Sequence, residues 1–236
     1  MNNLIKRNEI NICEFLGVMI GDGCLLYYPQ HKVYGIEITG NAVEEQDYYQ
    51  IIQYFIKKEF GLNARVYIKY MKKGKCLKLV VYSKKLAEKI MSYGITTNKT
   101  FTVTISNEFL SWEKSKFVIR GIFETDGSLY FSKSKKIDYP TYPRLEIKTA
   151  SINLAHQLVD LLTKAGFSVQ NHQNGTTRVI YLSGEKMLEK WVNEIGFSSL
   201  KNKTKYLIWK ELGYYLPKTP LPERINLLEN KFQKTI

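Results

Sequence analysis

The chain is written twice. Phe15-Leu16-Gly17-Val18-Met19-Ile20-Gly21-Asp22-Gly23 is echoed by Ile119-Arg120-Gly121-Ile122-Phe123-Glu124-Thr125-Asp126-Gly127, 104 positions later, and Asn98-Lys99-Thr100 returns as Asn202-Lys203-Thr204 at the same spacing. Between these anchors Lys85-Leu86-Ala87-Glu88-Lys89 resembles Lys186-Met187-Leu188-Glu189-Lys190, and Phe60-Gly61-Leu62 resembles Ala165-Gly166-Phe167, with small changes of length in the second copy. Self-similarity at a fixed period means that one copy's fold is the other's fold as well. Each copy reads as helix, two strands, helix, two strands, helix, with the breaks marked by Gly and Asn.

The expectation is therefore an α+β protein with two pseudo-symmetric αββαββα halves, each carrying an antiparallel sheet. The halves are expected at residues 1–107 and 108–236, the boundary lying near Ser106 to Ser111. No Pro- or Ser-rich linker separates them, so they should pack together. Leu216-Pro217-Lys218-Thr219-Pro220-Leu221-Pro222 ends the last repeat-like region, and the tail beyond it reads as a peripheral helix.

The repeated nonapeptide carries the chemistry. Small residues stand four apart in each copy, Gly17 and Gly21 in the first, Gly121 and Thr125 in the second. On a helix such positions share a face. A glycine in a helix interior costs about 1 kcal/mol relative to alanine, and accepting that at matching positions favours two backbones in close approach. These four residues are thus the expected interface between the halves. Asp22 and Asp126 then fall at the ends of the paired helices, each followed by a glycine suited to stopping a helix. A helix C-terminus carries partial negative charge and disfavours a carboxylate. Two such ends side by side concentrate negative charge, which a divalent cation relieves. Oxygen-only ligands suit Mg²⁺, which can polarise a phosphoryl oxygen and lower the pKa of water. Mn²⁺ should substitute, whereas Ca²⁺, with looser coordination, should support binding but little hydrolysis.

Charge points to the partner. Lys and Arg number 35 against 22 acidic residues, a formal net charge of +13, which favours a polyanion through counterion release. Cys13, Cys24 and Cys76 lack C-x-x-C spacing, and His31, His156 and His172 are scattered, so neither set reads as a zinc site. No stretch approaches the ~20 apolar residues of a membrane span, and no signal peptide is evident. An intracellular, soluble protein without a membrane partner is expected.

With these residues in view, both nonapeptides resemble the motif that names the LAGLIDADG homing endonucleases. Two copies in one chain resemble the single-chain, pseudo-twofold branch, over residues 11 to 210. The second copy is the better match; the first has Ile20 where relatives often carry an acid and Gly21 where they often carry alanine. The resemblance implies a monomer that cuts both strands of a long asymmetric DNA duplex with divalent metal. It implies Asp22 and Asp126 as metal-binding carboxylates, with metal contact also through the carbonyls of Gly21 and Thr125. Lys99 and Lys203 match basic residues that support hydrolysis in relatives, by stabilising transition-state charge or activating water. Lys201 or Lys205 could take the second place, because the register drifts there. The chain begins with Met and lacks a C-terminal His-Asn pair, so an intron-encoded protein is expected rather than an intein. An intron RNA maturase, or a regulator that kept the fold without the chemistry, are the alternatives.

The resemblance also implies that each sheet lies in the DNA major groove. Strand alternation nominates Tyr28, Gln30, Glu37, Arg65, Tyr67, Lys69 and Lys78 in the first half for its open face. In the second half it nominates Ser128, Tyr130, Ser132, Ser134, Arg144, Glu146, Lys148 and Arg178. Some would read base edges and others would hold phosphates. Duplex binding should accordingly weaken steeply with salt, and Lys69→Ala should reduce the slope of log K against log[salt] by about 0.9 for a lost phosphate contact. An unchanged slope across all the sheet lysines and arginines would mean that the wrong face has been chosen.

Overall fold

The computed structural model describes residues 9–72, 74–133 and 138–232; Ser134, expected on an open strand face, lies outside them. The first half runs α1 (Ile12–Ile20), β1 (Gly23–Tyr28), β2 (Val33–Asn41), α2 (Gln46–Phe60), β3 (Arg65–Met71), β4 (Gly74–Tyr82) and α3 (Lys84–Ser92). The second runs α4 (Trp112–Asp126), β5 (Gly127–Ser132), β6 (Tyr142–Thr149), α5 (Ile152–Lys164), β7 (Gln170–Asn174), β8 (Thr177–Ser183) and α6 (Glu185–Glu194). Two further helices follow, α7 (Leu200–Leu212) and α8 (Leu221–Phe232). The fold is α+β, two αββαββα halves each with a four-stranded antiparallel sheet, ordered β1-β2-β4-β3 and β5-β6-β8-β7.

Local sequence explains the elements. In α2 the buried side chains Tyr48, Tyr49, Ile52, Phe55 and Ile56 recur at helical spacing, and the helix stops where Gly61 takes a left-handed φ of 68°. Ser83 and Ser151 cap α3 and α5 by accepting the backbone N–H of Leu86 and Leu154, each at 3.2 Å. In the sheets Leu25, Ile36, Ile38 and Leu79 point into one core face, as do Leu129, Leu145, Ile147 and Leu182 in the second half. Helices α2 and α3 pack against the first sheet and α5 and α6 against the second.

The halves meet along α1 and α4. A Cβ added at Gly17 would stand 2.1 Å from the carbonyl oxygen of Val118, and one at Gly121 would stand 2.1 Å from that of Glu14. One turn on, a Cβ at Gly21 would stand 2.0 Å from Thr125 Oγ1. The small residues therefore oppose one another, 17 against 121 and 21 against 125. Near the start of the contact, the buried Glu14 receives hydrogen bonds from Arg120 at 2.5 and 2.8 Å and from the Tyr48 hydroxyl at 3.0 Å. This pair crosses the interface, so charge as well as shape joins the helices.

The glycines after the two aspartates do a different job from the one expected. Neither adopts a left-handed cap: Gly127 is extended, at φ −96° and ψ 163°, and Gly23 opens β1. What they permit is close approach. A Cβ at Gly23 would lie 2.6 Å from Met19 Cα, and one at Gly127 would lie 2.4 Å from the Phe123 carbonyl oxygen. In the second half β5 follows α4 directly, and in the first only the two-residue turn Gly21-Asp22 separates α1 from β1, so neither aspartate sits on a long loop.

Gly17→Ala or Gly121→Ala should destabilise the protein by about 1–3 kcal/mol, the range for overpacking, because the new methyl would meet rigid backbone. Urea denaturation reads this as a lower midpoint at unchanged slope. Wild-type midpoints for both variants would contradict the contact.

Candidate active site

Asp22 lies two residues beyond α1, and Asp126 is the last residue of α4. Because α1 and α4 pack side by side, both carboxyl groups arrive at one end of the helix pair, close enough that the charge of Asp126 acts directly on Asp22. Burial raises the Asp22 carboxyl to about 7, with Asp126 and Glu45 pushing in the same direction and Lys201 and Lys99 opposing. Asp126 has a more exposed side chain, yet the protein packed around it raises its carboxyl as well, against the pull of Lys99 and Lys201. Among the described residues no donor hydrogen-bonds to either carboxylate. Two crowded carboxylates with no protein donor among the described residues are an arrangement that a cation can complete.

The donor set fits a hard divalent ion. Among the described residues no group of three or more His, Cys, Asp or Glu side chains gathers as a cage. Mg²⁺ needs none, since it is commonly held by one or two carboxylates and keeps several of its waters. The backbone carbonyl of Gly21 is also at hand, but it is engaged: Lys99 Nζ donates to it at 2.7 Å and to the Ile20 carbonyl at 2.5 Å. Burial lowers the pKa of Lys99, while Asp126 and Asp22 support its charge.

In the second half the corresponding ammonium belongs to Lys201, not to Lys203. Lys201 Nζ donates to the Glu124 carbonyl at 2.8 Å, at the end of α4, and to Glu45 Oε1 at 2.6 Å. Lys203 lies two residues further along α7, roughly 200° around the helix, and lines a groove with Leu207, Ile225 and Leu228. The repeated Asn-Lys-Thr triplet is thus out of structural register. Lys205 is a third lysine nearby, reaching the Leu129 carbonyl at 3.2 Å, and burial together with Arg224 and Lys201 brings its pKa down to about 8.

Several residues that shape the site escape a sequence reading. Glu124 is buried and accepts from the backbone N–H of Ser198 at 2.7 Å and of Ser199 at 3.2 Å, from the Ser199 hydroxyl, and from Asn202 Nδ2 at 2.9 Å. It ties the end of α4 to the start of α7. Asp47, from the first half, accepts the N–H of Leu200 at 2.7 Å, and burial raises its carboxyl to about 6. The signal for Glu124 was its place inside the nonapeptide; Asp47 and Glu45 offered none, since their partners lie over 150 residues away.

The strand register tests the nominated surface residues. Cross-strand partners share a face. Pairings of Cys24 with Glu37, Glu37 with Val80, Thr39 with Lys78, Arg65 with Val80, Tyr67 with Lys78 and Lys69 with Cys76 put Glu37, Arg65, Tyr67, Lys69 and Lys78 on the face opposite the core, along with Tyr28. Lys78 is ion-paired there with Glu37. Gln30 departs from expectation, sitting in the single turn of 3-10 helix, Pro29–His31, that joins β1 to β2. In the second half Ser128, Tyr130, Ser132, Arg144, Glu146 and Lys148 share the open face. Arg178 does not. It pairs with Thr149 and falls on the same side as Ile147 and Ile180. Its neighbours Val179 and Ile180 are both buried, so alternation of polarity does not reveal the phase of β8. The open face there carries Tyr181 and His172 instead, in edge contact at 5.5 Å.

Comparison with known proteins agrees with this fold. Residues 113–196 match a family model described as a LAGLIDADG-like domain. The fold matches I-DmoI, a homing endonuclease solved in complex with DNA and Mn, at 19% identity over 78% of this chain and 94% of that one, with a TM-score of 0.54. It matches the homing endonuclease I-WcaI, solved bound to its DNA recognition sequence, at 13% identity over 80% and 82% of the two chains, TM-score 0.54. The N-terminal LAGLIDADG domain of DUF199/WhiA matches at 16% identity over 82% and 88%, TM-score 0.53. No curated protein sequence matches the chain. Residues 113–196 are thus similar to a LAGLIDADG-like domain, and the chain has the two-half α+β fold of these solved structures. Among the described residues no helix is long and apolar enough to cross a membrane.

The crowding of carboxylates has a pH signature. Asp22 has an ordinary value of 3.8 when exposed and about 7 in the folded protein, so between these limits the folded state holds the proton more tightly than the unfolded one. Stability should fall as pH rises through this window. Asp22→Asn removes the penalty: without metal it should melt above wild type at pH 8, and the gap should close near pH 3.5. A gap that is constant with pH would mean that the Asp22 carboxyl is not crowded.

Proposed function

We propose that this chain is a site-specific, divalent-metal-dependent DNA endonuclease, of the kind carried by mobile introns, with its halves at residues 1–107 and 108–236 sharing one active site. The observation that carries the reading is the meeting of Asp22 and Asp126 at the ends of the paired helices, each flanked by a lysine ammonium, where the first strands of both sheets begin. Asp22 and Asp126 would hold the metal, Mg²⁺ or Mn²⁺. When bound, that ion supplies charge neutralisation at the phosphoryl oxygens and makes water more acidic.

The chain's own residues do the rest. Lys99 and Lys201 stand on the carbonyls at the two helix ends, within reach of the carboxylates' field, where an ammonium can stabilise charge developing on a cleaved phosphodiester. Burial lowers the pKa of Lys99, which eases its deprotonation. Arg65, Tyr67, Lys69, Tyr130 and Arg144 would orient a duplex along the open sheet faces, some through phosphates and some through base edges. The match to I-DmoI, solved with DNA and Mn, supports both partner and metal.

A second reading has an observation in its favour. Lys99 occupies the Gly21 carbonyl, the oxygen that a metal ligated through the first motif would use. A DNA-binding protein without scission follows if that lysine does not yield.

Asp22→Asn and Asp126→Asn separate the two. Asn keeps the shape and removes the charge that holds the cation, so each variant should fold and bind the duplex selected from a randomised library, while double-strand cleavage in Mg²⁺ falls at least a hundredfold. If wild type binds tightly and neither strand is cut in Mg²⁺ or Mn²⁺, the non-catalytic reading stands. If both folded, bound variants cut at the wild-type rate, the carboxylates are not the active site.

A further inference from the structure

The two halves do not hold their lysines in the same way. Among the described residues Lys99 donates to carbonyls alone, those of Ile20 and Gly21. Lys201 is held between a carbonyl, that of Glu124, and a carboxylate, that of Glu45. The carboxylate comes from the other half. Glu45 sits in the connection between β2 and α2, buried, with Oε2 accepting the Asn41 N–H at 2.7 Å and Oε1 facing Lys201. Two residues on, Asp47 accepts the first free N–H of α7, so the first half grips both the helix that carries Lys201 and the lysine itself. The matching connection in the second half, Thr149-Ala150-Ser151-Ile152, contains no acid, and Ser151 instead donates to the Val103 carbonyl at 2.7 Å.

We infer that Glu45 is a positioning residue for one of the two strand cleavages: it fixes Lys201 over the end of α4, and the first half's Lys99 has no equivalent carboxylate partner among the described residues. This rests on the endonuclease reading above. The physical argument is one of charge. Lys201 lies in the first turn of α7, at the positive end of a helix dipole, where a cation is disfavoured. Lys205 and Arg224 stand close by and add to the repulsion. Glu45 offsets both. A partly buried ammonium stripped of its one ion-pair partner among the described residues is held less firmly and can swing toward another counter-charge. Lys201 has room to leave, because the pair forms part of the wall of an open cleft of about 550 Å³ that also borders Tyr130, Lys205 and Arg224. Lys99 has no ion-pair partner among the described residues, and the carboxylates that act on it are those of Asp126 and Asp22, not Glu45.

The test follows each strand of one duplex separately. A duplex selected for binding in Ca²⁺, labelled differently on its two strands, is cut by excess protein after addition of Mg²⁺. Lys201→Met should slow one strand and Lys99→Met the other. Glu45→Gln, which keeps the acceptor for Asn41 but loses the charge, should slow the strand affected by Lys201→Met at least tenfold and the other less than twofold, with binding unchanged. Combined with Lys201→Met it should add nothing further. Glu45→Asp, with the charge kept and the reach shortened, should show a weaker loss on the same strand, and it serves if the Gln variant melts early. Equal slowing of both strands, no slowing, or slowing of the Lys99 strand would overturn the inference while leaving the endonuclease reading intact. A wild-type protein that binds and cuts neither strand would overturn both.

Discussion

Everything in this molecule hangs on the approach of α1 to α4. With glycine at positions 17 and 121 the two backbones come within the distance that a single methyl group would fill, and Gly21 against Thr125 continues the contact to the helix ends. Wider helices would carry Asp22 and Asp126 apart. Because Gly23 and Gly127 let each first strand pass close against its helix within two residues of the helix end, the same contact also fixes where both sheets begin. One tight interface therefore sets the spacing of the carboxylates and the placing of the two open faces at once.

The electrostatic consequence is a site built against its own stability. Carboxylates at helix C-termini oppose the dipole, burial raises both further, and the charge of Asp126 raises Asp22 again. The protein answers with ammonium groups aimed at the adjoining carbonyls, Lys99 at one helix end and Lys201 at the other, rather than with hydrogen bonds to the carboxylates themselves. That leaves the acidic oxygens available. Strain of this sort at a single point is what a ligand-binding centre looks like when the surrounding fold over-determines it, here through the buried Glu14–Arg120 pair and the network around Glu124.

Much of this was legible in the sequence because repetition amplifies weak signals. A single Asp-Gly is a turn; two within matching nonapeptides, with small residues four apart, specify paired helices and a shared acidic end. The αββαββα order followed from alternation and glycine punctuation. Where the reading failed, the cause was local. Triplet similarity pointed to Lys203, but the second half starts a full helix at Leu200 where the first has only a turn at Lys99, and the phase shift brings Lys201 inward. β8 buries residues on both of its faces, which hid the orientation of Arg178. Glu45 and Asp47 act on partners in the other half, and no spacing rule within one chain segment can connect residues so far apart.

The most direct test of the account is to see the cation. Crystals of the protein on its selected duplex, grown with Mn²⁺ and measured at the manganese absorption edge, would report its position independently of any rate. The account predicts an anomalous peak bound by the carboxylates of both Asp22 and Asp126, with Lys99 drawn off the Gly21 carbonyl or sharing it. Manganese held elsewhere, or no peak at saturating Mn²⁺ with the two carboxylates paired to Lys99 and Lys201, would contradict it.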